Sequence, residues 1–243
     1  MNIRYLLIFE LASMIFIANT HADNLVSNND RIVRIDFDYR QSVSNAPSNG
    51  TCLGILLNPL VVLTSFECVY NKDLSEIDVS TPDSGTKIGY GTNLSSTVSL
   101  FSTKKDIGWK LIPNSSLALL KLSKPITFTP KYDIAQGCKS EQLSKYIDRP
   151  ITIYAFDDKG SNEIIHDEDK LSDIIDVVDH DGKIATLDDD LIIDKTDSGG
   201  PWVSRNNIIA ITVRGIEDHS IFGALICPYS KVVFHEAKVL EYN

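Results

Sequence analysis

The stretch CLGILLNPLVVLTSFEC, residues 52–68, decides the fold class. It contains two apolar runs that are separated at Asn58-Pro59. Asn and Pro mark turns, and short apolar runs bounded by such signals are typical of buried strands. The stretch therefore predicts a hairpin of two buried strands.

Strand patterns continue on both sides of this hairpin. Upstream, RIVRIDFDYR (31–40) alternates, so that Val33 and Ile35 lie on one side and Arg34 and Asp36 on the other. A period of two indicates a half-buried strand. Downstream, short apolar segments recur at 116–122, 150–156, 183–187, 207–215 and 221–227. Short strands at close spacing predict an all-β barrel or sandwich.

Two segments depart from this pattern. In SKVVFHEAKVLEY, near the C-terminus, Val233, Ala237 and Leu240 share one helical face, which predicts a helix. Residues 157–190 are rich in Asp and include the run Asp188-Asp189-Asp190. We interpret that segment as a solvated acidic loop rather than a calcium site, because the ligand spacing of an EF-hand is absent.

Composition limits the classes of partner. The 243 residues carry a formal net charge of −10, which argues against nucleic acid and anionic membranes as partners. Residues 1–22 begin with Arg4, continue through a short apolar run and end in Thr20-His21-Ala22. This pattern predicts a secretory signal peptide, cleaved after Ala22, and hence a secreted protein without membrane attachment. The four cysteines all lie beyond it and suggest two disulfides.

Three strings, in this order, resemble the trypsin/chymotrypsin-like serine proteases. GILLNPLVVLTSFEC (54–68) resembles the segment that supplies the catalytic histidine, SLALLKLSKPITF (116–128) the one that supplies the aspartate, and TDSGGPWV (196–203) the one that supplies the serine. The resemblance implies two six-stranded antiparallel β-barrels with a C-terminal helix. It divides residues 23–243 into an N-terminal barrel (about 30–130) and a C-terminal barrel (about 131–243). It also implies a Cys52–Cys68 disulfide, which leaves Cys138 and Cys227 as the second pair.

The resemblance places Ser198 at the nucleophile position, but the other two catalytic positions are substituted. Glu67 stands where the family has histidine, and Ser116 stands where it has aspartate. An imidazole accepts the serine proton and returns it to the leaving amine, whereas a glutamate with its ordinary pKa is ionised at neutral pH and has no proton to return. Loss of the base in a comparable hydrolase costs on the order of 10⁶ in turnover. We therefore expect negligible cleavage of ordinary peptides.

Other positions of the family's site also differ. Thr196 replaces a glycine of the oxyanion turn, beside Asp197 and Gly199, and a β-branched residue resists the backbone angles that glycine tolerates. Arg31-Ile32-Val33 only partly resembles the family's activation sequence, and its alternating pattern predicts a strand instead. The resemblance implies a specificity pocket that favours an apolar side chain, formed by Ile192, Ile193, Val213, Arg214 and Gly215.

The remaining candidate sites have weaker motifs. His166, His180, His219 and His235 lie in no recognisable motif, so a replacement base among them is an alternative that no motif supports, and no metal site or cofactor is expected. Three sequons make Asn49, Asn93 and Asn114 candidates for N-glycosylation in a eukaryotic host.

Three functional hypotheses follow from this sequence. The first is a secreted, catalytically inactive serine protease homologue that binds a protein partner, such as a protease, an inhibitor or a surface protein. The second is a hydrolase that uses Ser198 with an unconventional base, Glu67 or a displaced histidine. The third is a structural or adhesive domain that binds through loops away from the cleft.

Overall fold

The structure is a computed structural model, and most of its described residues lie in β-strands. It describes residues 31–40, 47–69, 73–80, 96–97, 108–122, 124–136, 138, 144–156, 164–177, 182–187, 198–213 and 222–242. The strands are β1 (Ile32–Arg40), β2 (Pro47–Asn58), β3 (Val61–Ser65), β4 (Asp73–Ser80), β5 (Ser96–Thr97), β6 (Trp109–Leu111), β7 (Leu117–Lys121), β8 (Asp133–Ile134), β9 (Pro150–Phe156), β10 (Ile164–Val177), β11 (Gly182–Leu187), β12 (Pro201–Ser204), β13 (Asn207–Val213) and β14 (Phe222–Leu225). The helix α1 spans Ser230–Tyr242, and short 3₁₀ helices span Phe66–Cys68, Ser144–Tyr146 and Cys227–Tyr229.

The strands form two sheets in succession along the chain. The first has the order β5-β4-β1-β2-β3-β7-β6 and is antiparallel throughout its described pairings. The second has the order β12-β9-β10-β11-β14-β13-β8, and an additional pairing of β12 with β13 closes six of its strands into a ring. The short β8 joins β13 in parallel. The predicted chymotrypsin-like fold is confirmed, with a short extra strand on each of the two described sheets.

The hairpin predicted from residues 52–68 is present. Strands β2 and β3 pair with Ile55 opposite Leu63, and the Asn58 side chain accepts a 2.9 Å hydrogen bond from the Leu60 N–H to close the turn. The strand predicted at residues 31–40 is β1, which pairs with β2 and β4. Its Arg34 and Asp36 side chains form an ion pair at 2.6 Å.

Alternate residues of the central strands are buried in different cores. In β7, Leu117 and Leu119 pack in a cluster shared by the two sheets and α1, whereas Ala118 and Leu120 pack inside the first barrel. Both faces of the strand are therefore buried, which explains why its sequence is an unbroken apolar run. The second barrel has its own interior cluster, which includes Ile153, Trp202 and Leu225.

Trp202 anchors the interior of the second barrel. Its side chain is fully buried, and its indole N–H donates a 2.8 Å hydrogen bond to the Thr212 hydroxyl. A Cβ atom at Gly223 would lie 2.9 Å from the indole ring, so only glycine fits beneath it. Trp202 therefore makes its side-chain hydrogen bond to β13 and packs its ring against Gly223 of β14.

The predicted C-terminal helix is confirmed. Helix α1 buries Val233, Ala237 and Leu240 in the cluster between the sheets. On its partly exposed side, Glu236 forms an ion pair with Lys110 of β6. At its end, the Asn58 side chain donates a 3.2 Å hydrogen bond to Glu241. Although α1 follows the second barrel in sequence, its polar contacts therefore attach it to the first.

The interpretation of residues 157–190 as an acidic loop is wrong for much of its length. Residues 164–177 form β10, which pairs with β9 along 164–170 and with β11 along 171–177. The strand lies between β9 and β11 in the closed ring. Its backbone hydrogen bonds to these two neighbours outweigh the low strand propensity of its Asp residues. The run 188–190 lies outside the described residues.

Several strands were not predicted. Strands β4, β5, β6 and β8 have short or polar sequences whose periodicity is weak. Among the described residues, no helix combines the length and apolarity that a bilayer crossing requires.

Candidate functional site

Ser198 lies on a turn that both sheets hold in place. Its side chain is buried, with 5% relative exposure, and its carbonyl oxygen accepts a 2.8 Å hydrogen bond from the N–H of Leu53 in β2. On the other side, the Gly199 N–H donates to the Thr212 carbonyl at 2.8 Å, and the Thr212 N–H donates to the Gly200 carbonyl at 2.7 Å. The turn is thus fixed by backbone hydrogen bonds to β2 of the first sheet and to β13 of the second.

Gly199 makes this close approach possible. Its φ is +90°, a conformation that residues with a Cβ atom rarely adopt. A Cβ atom there would lie 1.8 Å from the carbonyl oxygen of Leu53 and 2.5 Å from the hydroxyl of Thr64. The Thr64 hydroxyl in turn donates a 2.6 Å hydrogen bond to the Leu53 carbonyl. The glycine is therefore required both by its backbone angles and by the space available.

The segments that carry Glu67 and Ser116, which the sequence predicts at the family's histidine and aspartate positions, lie side by side. Strand β3 ends at Ser65, whose hydroxyl accepts a 3.3 Å hydrogen bond from the N–H of Glu67 and so caps the 3₁₀ helix that carries this residue. The preceding residue, Phe66, donates its N–H to the Ser116 carbonyl at 3.0 Å. Ser116 is buried, with 5% exposure, whereas Glu67 is half-buried.

A chain of contacts connects these two positions to Ser198. Ser65 pairs with Leu117 across β3 and β7, so Glu67 and Ser116 occupy the same end of neighbouring strands. The disulfide partner Cys68 follows directly, and its Sγ atom lies 3.8 Å from the Ser198 carbonyl oxygen. The segments that carry these three residues therefore lie close to one another, while their role as one site stays a prediction.

The chemistry available from these three residues is limited. They offer two hydroxyl groups and one carboxylate, and no imidazole. Two histidines can be placed: His166 belongs to β10, opposite Tyr154 of β9, and His235 is exposed on α1. His180 and His219 lie outside the described residues. In the part of the chain that the structure describes, no three His, Cys, Asp or Glu side chains form a group suited to a metal ion.

Most of the predicted oxyanion and pocket residues cannot be placed. Thr196, Asp197, Ile192, Ile193, Arg214 and Gly215 lie outside the described residues. Val213 is described as the last residue of β13, opposite Phe222, and is 4% exposed within the cluster between the sheets. The specificity pocket therefore stays a prediction.

The segment Arg31-Ile32-Val33 is part of the first sheet. The Arg31 carbonyl accepts a 2.6 Å hydrogen bond from the Leu56 N–H, and Ile32 and Val33 are fully buried. The Arg31 guanidinium lies 5.4 Å from the centre of the Phe128 ring. Burial lowers the pKa of Arg31, and the charge of Asp133 partly opposes that shift. The strand predicted for this segment is confirmed.

Both disulfides are present. Cys52–Cys68 links β2 to the 3₁₀ helix that carries Glu67, and Cys138–Cys227 links the segment after β8 to the residues before α1. Of the sequon asparagines, Asn49 lies in β2 opposite Asp38, Asn114 is exposed in the turn before β7, and Asn93 lies outside the described residues.

Sequence reasoning missed the residues that hold the serine turn. Leu53 contacts the turn through its backbone N–H, and Thr212 does so through its backbone N–H and carbonyl. Thr64 acts indirectly, because its hydroxyl donates a hydrogen bond to the Leu53 carbonyl. Backbone contacts leave little signature in the side chains, and the partners are more than a hundred positions apart in the case of Leu53 and Ser198. No sequence signal identifies Leu53. Thr64 and Thr212 differ from their neighbours in sequence only as polar residues within apolar strands, and the structure shows that both are buried.

Comparison with known proteins agrees with this architecture. The family model Trypsin matches residues 26–228. Among solved structures, HL collagenase superposes with a TM-score of 0.62 at 14% identity, covering 87% of this chain and 96% of that one.

Two further solved structures are similar. The scabies mite inactivated protease paralogue S-D1 has a TM-score of 0.60 at 12% identity, covering 86% of this chain and 96% of its own. The kallikrein-related peptidase 10 complex with Zn²⁺ has a TM-score of 0.59 at 16% identity, covering 88% and 97%. At these identities the likeness concerns the fold. No curated protein matches the sequence.

Proposed function

Because the chain belongs to the trypsin family, we propose that it is a secreted, catalytically inactive serine protease homologue that acts by binding another protein. The observation that carries this proposal is the pair of residues Glu67 and Ser116 at the positions predicted for histidine and aspartate. The segments that carry them lie side by side, close to the Ser198 turn. A catalytic base must both accept the serine proton and deliver it to the leaving group. A carboxylate beside a serine is a poor replacement for histidine and aspartate in that task.

The Glu67 carboxylate also opposes the chemistry in a second way. Acyl transfer develops negative charge on the substrate oxygen, and stabilising that charge is usually the largest catalytic contribution. A negative side chain at the position of the base has the wrong sign for that charge. Substitution of the oxyanion-turn glycine by Thr196 acts in the same direction.

Retention of the scaffold supports a binding role. The Ser198 turn keeps its backbone hydrogen bonds to both barrels, and both disulfides are present. A fold maintained without its catalytic residues can still present a shaped surface to a protein, since fold does not determine function. One structural neighbour is itself named an inactivated protease paralogue, which illustrates that this fold occurs without activity.

Secretion is supported by two features of the sequence. Residues 1–22 have the pattern of a signal peptide. All four cysteines of the chain form disulfides, which persist in oxidising compartments outside the cytosol.

A fluorophosphonate probe tests inactivity directly, because it labels only an activated serine. The secreted, disulfide-bonded protein is incubated with the probe at neutral pH beside an active trypsin-like enzyme. We expect labelling no greater than that of the matched Ser198→Ala variant. Rapid stoichiometric labelling that disappears in Ser198→Ala would overturn the proposal.

The binding role is tested by capture from the native extracellular fluid. Immobilised wild type and Ser198→Ala protein should retain the same partner, because binding does not use the hydroxyl. Combined substitution of Ile192 and Arg214 should weaken capture if the partner enters the predicted cleft. Capture unchanged by that pair would assign binding to loops, and failure to retain any protein would contradict the binding role.

A second candidate is a hydrolase with an unconventional base, and the ordered Ser198 turn favours it. In this case Glu67 would act as the base that accepts the Ser198 proton. The candidate predicts hydrolysis of a reactive acyl ester that is lost in Ser198→Ala and strongly reduced in Glu67→Gln. Equal slow hydrolysis by the wild type and both variants would eliminate it.

A further inference from the structure

The turn that precedes β7 presents an asparagine to solvent. Asn114 is exposed and has a φ of 56°, the left-handed conformation that asparagine tolerates better than most residues. Its neighbours make the hydrogen bonds that close the turn. The Ile112 N–H donates to the Leu117 carbonyl at 2.9 Å, and the Ser115 hydroxyl donates to the Ile112 carbonyl at 3.0 Å. The turn is ordered while its asparagine faces outward.

Asn114 begins the sequon Asn114-Ser115-Ser116. The hydroxyl residue that completes this sequon is Ser116, which occupies the position of the family's catalytic aspartate. An aspartate there would leave no sequon, because the third residue must be Ser or Thr. The same residue thus accounts for the absence of the carboxylate and for the presence of the acceptor sequence.

The other two sequons do not show this combination. Asn49 lies within the long strand β2 and pairs with Asp38 of β1, whereas glycan acceptors in secreted proteins belong to surface loops. Asn93 lies outside the described residues. Asn114 is therefore the sequon asparagine for which exposure and a turn are both observed.

The turn also borders the candidate site. Two residues beyond Asn114, the Ser116 carbonyl accepts the hydrogen bond from Phe66, the neighbour of Glu67. A group attached to Asn114 consequently lies at an edge of the first sheet, in the turn between β6 and β7 and two residues from Ser116. N-linked glycans are bulky and hydrophilic, so one at this edge would narrow the approach to the cleft.

We propose that Asn114 carries an N-linked glycan at the edge of the cleft, on a sequon completed by Ser116. The proposal rests on the secretory route of the proposed function, but not on the inactivity of Ser198. Under this proposal, serine at position 116 has two effects. It replaces the aspartate predicted for the triad, and it completes the sequon that places a glycan on Asn114.

The test uses the whole mature chain, residues 23–243, expressed in insect or mammalian cells behind a heterologous signal peptide. Mass spectrometry of the untreated glycopeptide, together with the intact protein mass before and after peptide-N-glycosidase treatment, reports the occupancy of Asn114. We expect occupancy in the wild type and in Ser116→Thr, which keeps the sequon. We expect loss of the glycan in Ser116→Ala, Ser116→Asp and Asn114→Asp. Asn49→Gln is the matched control and should leave Asn114 occupied.

The outcomes separate this inference from the proposed function. Secreted, disulfide-bonded wild-type protein with unmodified Asn114 would overturn the glycan while leaving the inactivity of Ser198 intact. A parallel expression with the native residues 1–22 tests secretion by itself, because failure there does not affect occupancy behind the heterologous signal. If Ser116→Ala is poorly secreted, Asn114→Asp still decides the result, since it leaves the buried Ser116 unchanged and its new side chain also tolerates the left-handed turn.

Discussion

The N–H of Leu53 donates a 2.8 Å hydrogen bond to the carbonyl oxygen of Ser198. Leu53 belongs to the first sheet, and Ser198 lies three residues before the start of β12 of the second, at Pro201. The position of the serine turn is therefore set by a backbone contact between the barrels, which does not involve the side chains of Glu67 or Ser116. The order of the Ser198 turn therefore does not depend on which side chains stand at positions 67 and 116.

Gly199→Ala should destabilise the protein severely. The new methyl group would meet the Leu53 carbonyl at 1.8 Å in a backbone conformation with φ of +90°. Strain of this kind costs about 1–3 kcal/mol even without a clash, so we expect the free energy of unfolding to fall by about 3 kcal/mol or more. Urea denaturation measures the change. Ser198→Ala is the matched control and should stay within about 1 kcal/mol of wild type, and a similar value for Gly199→Ala would show that the turn is not clamped as described.

Thr212→Val should lower the free energy of unfolding, because it removes the hydroxyl that accepts a 2.8 Å hydrogen bond from the buried indole N–H of Trp202. An unsatisfied buried donor costs about 1–3 kcal/mol. In a Trp202→Phe background the same change should cost little, since no indole N–H remains. A double-mutant cycle by thermal or urea denaturation measures the coupling. Equal costs of Thr212→Val in both backgrounds would contradict the contact.

The two disulfides should differ in their contribution to stability. Cys138–Cys227 closes a loop with a sequence separation of 89, and Cys52–Cys68 closes one of 16. Chain entropy predicts losses of about 4.6 and about 3 kcal/mol on removal. Replacement of each pair by alanine, followed by denaturation, tests the order. A larger loss for the shorter loop would mean that local packing around Glu67 outweighs loop entropy.

The Arg31–Ile32 peptide bond should resist trypsin in the native protein. The Arg31 carbonyl is hydrogen-bonded to the Leu56 N–H, and Ile32 is fully buried, so the bond cannot enter a protease cleft unless β1 first detaches from the sheet. Limited trypsin digestion with N-terminal sequencing should recover no fragment that begins at Ile32. The urea-unfolded chain is the control and should be cut there. Rapid native cleavage at this bond would show that the segment is accessible.

Local sequence patterns predicted much of the fold. The hairpin around Asn58-Pro59 and the face formed by Val233, Ala237 and Leu240 follow from short-range periodicity. Motif order predicts that Glu67, Ser116 and Ser198 form one site, and that assignment stays a prediction, although the neighbours Phe66 and Cys68 contact Ser116 and Ser198. The residue types at these positions, which carry the proposal of inactivity, are properties of the sequence alone.

Only the tertiary structure decided the rest. Strand β10 forms in an acidic segment because a closed ring supplies partners on both of its edges. Leu53, Thr64 and Thr212 position the serine turn through contacts between residues far apart in the chain. The exposure of Asn114 likewise became known only with its turn. Periodicity reports which side of an element is buried, whereas backbone hydrogen bonds between distant strands depend on how the elements assemble and leave little trace in the residues that make them.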